Sequence, residues 1–247
     1  MKRILIVYFS IASLFAASAF AQVFDVPYES DEPTRTLLIP AKNAKAVVLL
    51  FPGGGGVMRL TEDGQTRNTH TFVRSQNLWA QYGIHAVLVD TPTNLGNTRS
   101  NFRGTNDHLD RIANVVQFYK QKFNLPVWIF GHSMGSSSVT YFPNKGEKQR
   151  SMIAGVIAAG TLRGMQLNDE VTLPTLAIHH AQDGCISTPP SASEYLIKSR
   201  PKGLRSELKL IEGGDDIGDA CMSAGHHGFA GVEDQFVAAA AKFILGK

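Results

Sequence analysis

The apolar positions of this chain fall in short continuous runs, separated by longer stretches in which they recur every three to four residues. Runs at 36–39, 46–51, 85–89, 127–130, 153–158, 176–180 and 207–211 predict β-strands. Most are apolar throughout rather than alternating, which is the pattern of strands covered on both faces. Between them, Leu109, Ile112, Ala113, Val116, Tyr119 and Phe123 stand at helical spacing and predict a helix over 107–123, with Thr105 or Asn106 as its N-cap. Val232, Phe236, Ala240, Phe243 and Ile244 share one face of a closing helix that suits packing on a sheet. Without repeats or low-complexity linkers, this alternation predicts one α/β domain: a doubly wound, mostly parallel sheet flanked by helices. Too few residues separate the strand ending near 158 from the one beginning near 175 for a helical cap, so no large cap domain is expected and the site should be open.

The N-terminus departs from this pattern. Lys2 and Arg3 precede an uncharged apolar stretch that ends in Ala19-Phe20-Ala21, which reads as a signal peptide over 1–21 and leaves a domain at 22–247. The competing reading of the same stretch is a membrane anchor. The three serines within it and the small-residue ending favour cleavage, so export to the periplasm or the medium is expected, with no stable membrane insertion afterwards. Removing Lys2 and Arg3 lowers the formal charge from +3 to +1, which leaves no basic excess to suggest a nucleic-acid partner. The two cysteines, Cys185 and Cys221, both lie in the exported part, where oxidation is permitted, and predict a disulfide.

The chemistry concentrates at Gly131-His132-Ser133-Met134-Gly135, a G-x-S-x-G directly after the strand at 127–130. A serine on so tight a strand-to-helix turn needs neighbours that are nearly free of side chain, and glycine stands at 131 and 135. Downstream, the run at 176–180 leads into Asp183, and Gly225-His226-His227-Gly228-Phe229 lies near the C-terminus. The order Ser, Asp, His, with acid and base each following a late strand, resembles that of the α/β-hydrolase triad. The resemblance extends over essentially the whole of 22–247. It implies a serine hydrolase, most simply a carboxylic-ester hydrolase acting through an acyl-enzyme, with Ser133 as nucleophile, Asp183 as orienting acid and His227 as base. It selects His227 over His226 because the family's histidine commonly precedes a Gly-Phe pair directly. Asp215, Asp216 and Asp219 remain alternative acids, although their glycine-rich surroundings read as a turn. The resemblance also implies oxyanion donors at the backbone N–H of Met134 and in the glycine run after Phe51, where Gly54 is the first choice. Pro52 stands where many relatives carry the histidine of a His-Gly-Gly-Gly run, so that register is open by one residue. Compact capless members, similar to dienelactone-hydrolase-like or cutinase-like esterases, fit best. A small-molecule or polymer ester would be the substrate, water the second reactant, and no cofactor is needed.

Two other classes compete. His179, His180, Asp183, His226 and His227 could be drawn as a zinc site, but they lack the H-E-x-x-H spacing and leave the serine turn unexplained, so no metal is expected. A non-catalytic ligand-binding protein on the same fold is the other, since a fold alone never proves activity. The polar stretch 91–107, with Asn94, Asn97, Arg99, Asn101 and Arg103, is read as either a substrate rim or a solvated loop.

Overall fold

The structure is a computed structural model that describes residues 20–29, 31–96 and 102–247. The leader assigned to 1–21 lies, apart from its last two residues, outside the described residues, as do Asn97, Arg99 and Asn101.

Eight strands form one sheet: β1 (Gln22–Tyr28), β2 (Asp31–Ile39), β3 (Ala46–Phe51), β4 (Ile84–Val89), β5 (Val127–His132), β6 (Gly155–Ala159), β7 (Thr175–His180) and β8 (Ser206–Ile211). Their spatial order is β1-β2-β4-β3-β5-β6-β7-β8. The pairs β1/β2 and β2/β4 are antiparallel and all others are parallel, so the expected mostly parallel sheet is present. Seven of the eight strands lie where the apolar runs placed them, and β1 is an addition. It carries one fully buried residue, Val26, and pairs on one side only, so it leaves little apolar trace in the sequence. The first half of β2 was missed for the same reason, since 31–33 are exposed.

The helices are α1 (Thr71–Arg74), α2 (Thr93–Gly96), α3 (Asn106–Phe123), α4 (Gly135–Asn144), α5 (Glu147–Arg150), α6 (Pro190–Lys198) and α7 (Glu233–Leu245). Thr105 caps α3 by accepting from the His108 N–H, and Asn124 closes it in the left-handed conformation. Strand side chains alternate between two cores. Val48, Leu50 and Phe130 pack with Phe72, Trp79, Phe236 and Ala240 on the α7 side. Leu49, Phe51 and Ile129 pack with Ile112, Tyr119, Val139 and Leu196 on the side of α3, α4 and α6. Both faces of the central strands are thereby covered, which is why those strands read as unbroken apolar runs. The segment 160–174, which joins β6 to β7, carries neither helix nor strand, so no cap domain lies there.

Candidate active site

Every parallel strand from β3 to β8 delivers its C-terminal end to the same rim of the sheet, the usual place for a crevice in such a fold. β5 ends there at His132, and Ser133 follows with φ 54°, a left-handed conformation costly for any residue with a Cβ. The turn is held by Ser133 N–H donating to Ala159 O (2.9 Å) and by Ser136 N–H and Oγ–H donating to Ser133 O (2.8 and 2.6 Å). It is possible only with glycine on either side: a Cβ on Gly131 would stand 2.0 Å from Gly135 O, and one on Gly135 2.0 Å from Phe51 O. Ser133 and Met134 are both partly exposed at the mouth of this turn.

The loop after β7 and the loop before α7 bring Asp183 and His227 together. His227 Nδ1 lies 2.9 Å from Asp183 Oδ2, and both side chains are almost fully buried. The same oxygen lies 3.2 Å from His179 Nε2 and accepts from Thr188 Oγ1 at 3.3 Å, while Oδ1 accepts from Cys185 N–H at 2.8 Å. Burial alone would raise the carboxyl pKa, but the hydrogen bonds from His179 and His227, followed by the backbone bond from Cys185, hold it below the usual carboxylate range. Asp183 is therefore an anion fixed by donors on both oxygens. His226 turns the other way, stacking on His180 with ring centroids 4.2 Å apart and directing Nδ1 toward Asp216 at 3.7 Å. His179 and His180, on opposite faces of β7, are separated likewise: His179 meets Asp183, whereas His180 Nε2 donates to Gly213 O (2.8 Å).

His227 lies beside the serine turn. Its ring centroid is 4.8 Å from that of His132, and a Cβ built on Gly160 would touch both rings at 3.3 Å. Ser133 Oγ makes no hydrogen bond among the described residues, and contacts of this kind commonly tighten only when substrate is bound. Cys185 and Cys221 form a disulfide with Cα atoms 4.6 Å apart, so the two loops that carry Asp183 and His227 are covalently joined.

The glycine turn after β3 packs directly on the serine, with a Cβ on Gly53 falling 3.0 Å from Ser133 Cβ. The Gly53 nitrogen lies 3.0 Å from His70 Nε2. Among the described residues the backbone N–H groups of Gly54 and Met134 have no hydrogen-bond partner, which leaves two free donors on the two segments that flank Ser133. His70 Nδ1 accepts from Phe72 N–H (3.1 Å), its Nε2 is 3.0 Å from His132 Nδ1, and His132 Nε2 donates to His227 O (2.7 Å). Burial holds His70 down to about 3 and His132 well below the ordinary histidine value, so both are neutral packing and hydrogen-bonding groups.

Sequence reasoning missed Thr188 and His70, and named His179 only as a candidate zinc ligand. His179 had a signal: two adjacent histidines in a buried strand must face opposite ways, and each then needs a polar partner. Arg103 corrects an expectation. It does not line a rim: it is 1 % exposed and donates to Ser138 Oγ and to the carbonyls of Pro52 and Gly54.

A serine on a tight turn, an imidazole oriented by a carboxylate beside it and two unpartnered amides nearby are the parts needed to deprotonate a hydroxyl and meet a developing oxyanion. No protein-family model and no curated protein sequence matches the chain. Solved structures do match in fold. A dienelactone hydrolase from Anabaena variabilis aligns with a TM-score of 0.63 at 14% identity, over 92% of this chain and 98% of the other. A soluble variant of monoglyceride lipase from Saccharomyces cerevisiae gives 0.63 at 15% identity, over 93% and 97%. An α/β serine hydrolase without a lid from Xanthomonas campestris gives 0.62 at 15% identity, over 94% and 96%. The chain thus has the α/β-hydrolase fold in its compact, lidless form.

Proposed function

We propose that the protein is an exported serine hydrolase that cleaves carboxylic esters through an acyl-enzyme. The observation that carries this reading is the buried 2.9 Å contact between Asp183 and His227 beside a serine held at φ 54°. In the proposed cycle Ser133 Oγ attacks the ester carbonyl carbon while His227 Nε2 takes the hydroxyl proton. The carbonyl oxygen becomes an oxyanion against the N–H groups of Met134 and Gly54. Collapse breaks the bond to the alcohol oxygen, which receives the proton from His227. Water then adds to the acyl carbon with His227 again as base, and the carboxylic acid leaves with Ser133 restored. Asp183 keeps the imidazole proton on Nδ1 and stabilises the transient imidazolium. Open access between β6 and β7 supports a substrate approached from solvent, and the disulfide is compatible with export.

The test is labelling of the purified domain with a fluorophosphonate probe, with the adduct located by peptide mass spectrometry and Ser133→Ala as control. A single adduct on Ser133 is expected. A folded protein that takes no adduct, or takes it elsewhere, overturns the reading and favours a ligand-binding role. Intact mass of exported material should begin at Gln22, and a retained N-terminus would overturn cleavage after Ala21.

A further inference from the structure

Arg103 is a buried cation that the triad does not explain. It lies just before α3 and reaches across to two other segments. Nη1 donates to Ser138 Oγ on α4 (2.7 Å), and Nη2 donates to the carbonyls of Pro52 (2.8 Å) and Gly54 (2.7 Å). Nε is buried without a partner. Among the described residues no carboxylate pairs with it. Arg111, buried to a similar degree, is paired with both Asp31 and Asp107. Burial presses the Arg103 pKa down to about 9, which still leaves the guanidinium charged at neutral pH. Ser138 Oγ accepts from Arg103 and lies 2.9 Å from His108 Nε2. Burial holds His108 down to about 3, so that neighbour is neutral.

The geometry gives this charge a purpose. The carbonyls of Pro52 and Gly54 lie on either side of the peptide group whose N–H belongs to Gly54. Pinning both fixes the plane of that peptide and hence the direction of its N–H. The same guanidinium is tethered to α4, the helix that opens directly after Ser133 and Met134. It therefore sets the spacing between the two free amides. A neutral donor could satisfy the carbonyls, whereas an unpaired buried charge is costly and a poor choice for a staple alone. In a water-poor site such a charge stabilises negative charge that gathers nearby.

We propose that Arg103 is a positioning residue for the oxyanion: it locks the Gly54 amide against the nucleophile turn and holds an unneutralised positive charge behind it. This rests on the acyl-transfer reading above. The experiment compares Arg103→Gln, Arg103→Lys and Ser138→Ala with the unaltered protein on p-nitrophenyl acetate, reading kcat and KM separately. It also reads the affinity for phenylboronic acid, whose serine adduct is a tetrahedral anion, and checks folding by thermal unfolding. Arg103→Gln should lower kcat about 30-fold, equivalent to about 2 kcal/mol, with KM changed by less than about threefold. Boronate affinity should fall by a similar factor. Arg103→Lys, which keeps the charge but not the fork, should recover part of the loss, and Ser138→Ala, which cuts only the tether to α4, should lose less than Arg103→Gln. The proposal is overturned by a folded Arg103→Gln that keeps kcat within about threefold of the unaltered protein, by a loss confined to KM, or by Arg103→Lys no better than Arg103→Gln. If Arg103→Gln does not fold, Ser138→Ala decides: lowered kcat and boronate affinity support the proposal, and unchanged values overturn it. Unaltered protein that neither hydrolyses the ester nor takes the fluorophosphonate refutes the hydrolase reading itself, and this inference with it.

Discussion

Asp183 Oδ2 faces three donor groups, and that crowding separates this acid from the others nearby. Asp216 is exposed and stands only 3.7 Å from a half-buried histidine, whereas Asp183 is anchored on both oxygens inside the protein. Asp183→Asn should therefore lower kcat by about 10,000-fold, because the amide cannot hold the imidazole in the productive tautomer. Asp216→Asn and His226→Ala should leave steady-state turnover within about twofold, since neither side chain bonds to Asp183 or to the His227 ring. Equal losses at 183 and 216 would reassign the acid. Of these residues, Ser133, Asp183 and His227 are the candidates the sequence offers, each following a strand in a recognisable order, and the fold brings Asp183 and His227 into contact. The bond of His179 to Asp183 was not legible, because the sequence marks the histidine but not the partner its ring will meet. Arg103 was misread for a related reason: its polar, glycine-containing neighbourhood resembles a solvated loop, and only the tertiary fold turns the side chain inward.

The elements that carry these residues differ in how firmly they are held. β5 is central, parallel to both neighbours, and gives the turn at Ser133 a rigid base. The loops after β7 and β8 lie toward the other end of the sheet and are joined by the Cys185–Cys221 bridge. The bridge closes a loop spanning 36 residues of sequence separation, so replacing both cysteines by serine should cost about 2–4 kcal/mol in urea unfolding. Activity should fall as well, because the loop bearing His227 loses its link to the loop bearing Asp183. Unchanged stability and turnover in the double variant would show that packing alone holds the loops. The buried parallel strands could be read directly from the chain because burial on both faces leaves unbroken apolar runs. β1 could not, since an edge strand with one fully buried residue carries almost no such trace.

For the molecule as a whole, the neutral interior histidines set the response to acid. Burial depresses His70 and His108 to about 3 and holds His132 well below the ordinary histidine value. In the unfolded chain each takes up a proton near pH 6.5, so below that point the unfolded state binds protons that the folded state refuses. Stability is therefore retained above pH 6.5 and declines as pH falls toward 3, by up to about 1.4 kcal/mol per pH unit for each histidine. Asp183, held low in the fold, adds a loss that begins only below about pH 4, where the unfolded carboxylate starts to protonate. The urea midpoint should accordingly be lower at pH 5 than at pH 7.5, and equal midpoints would contradict the neutral state of these rings. The segment between β6 and β7 has one more consequence. With neither helix nor strand in 160–174 and Ser133 left partly exposed, a reactant bound at Ser133 would itself serve as the roof of the reaction chamber. A bulky acyl or alcohol group would then shut out bulk water, and a small ester would leave the chamber wet.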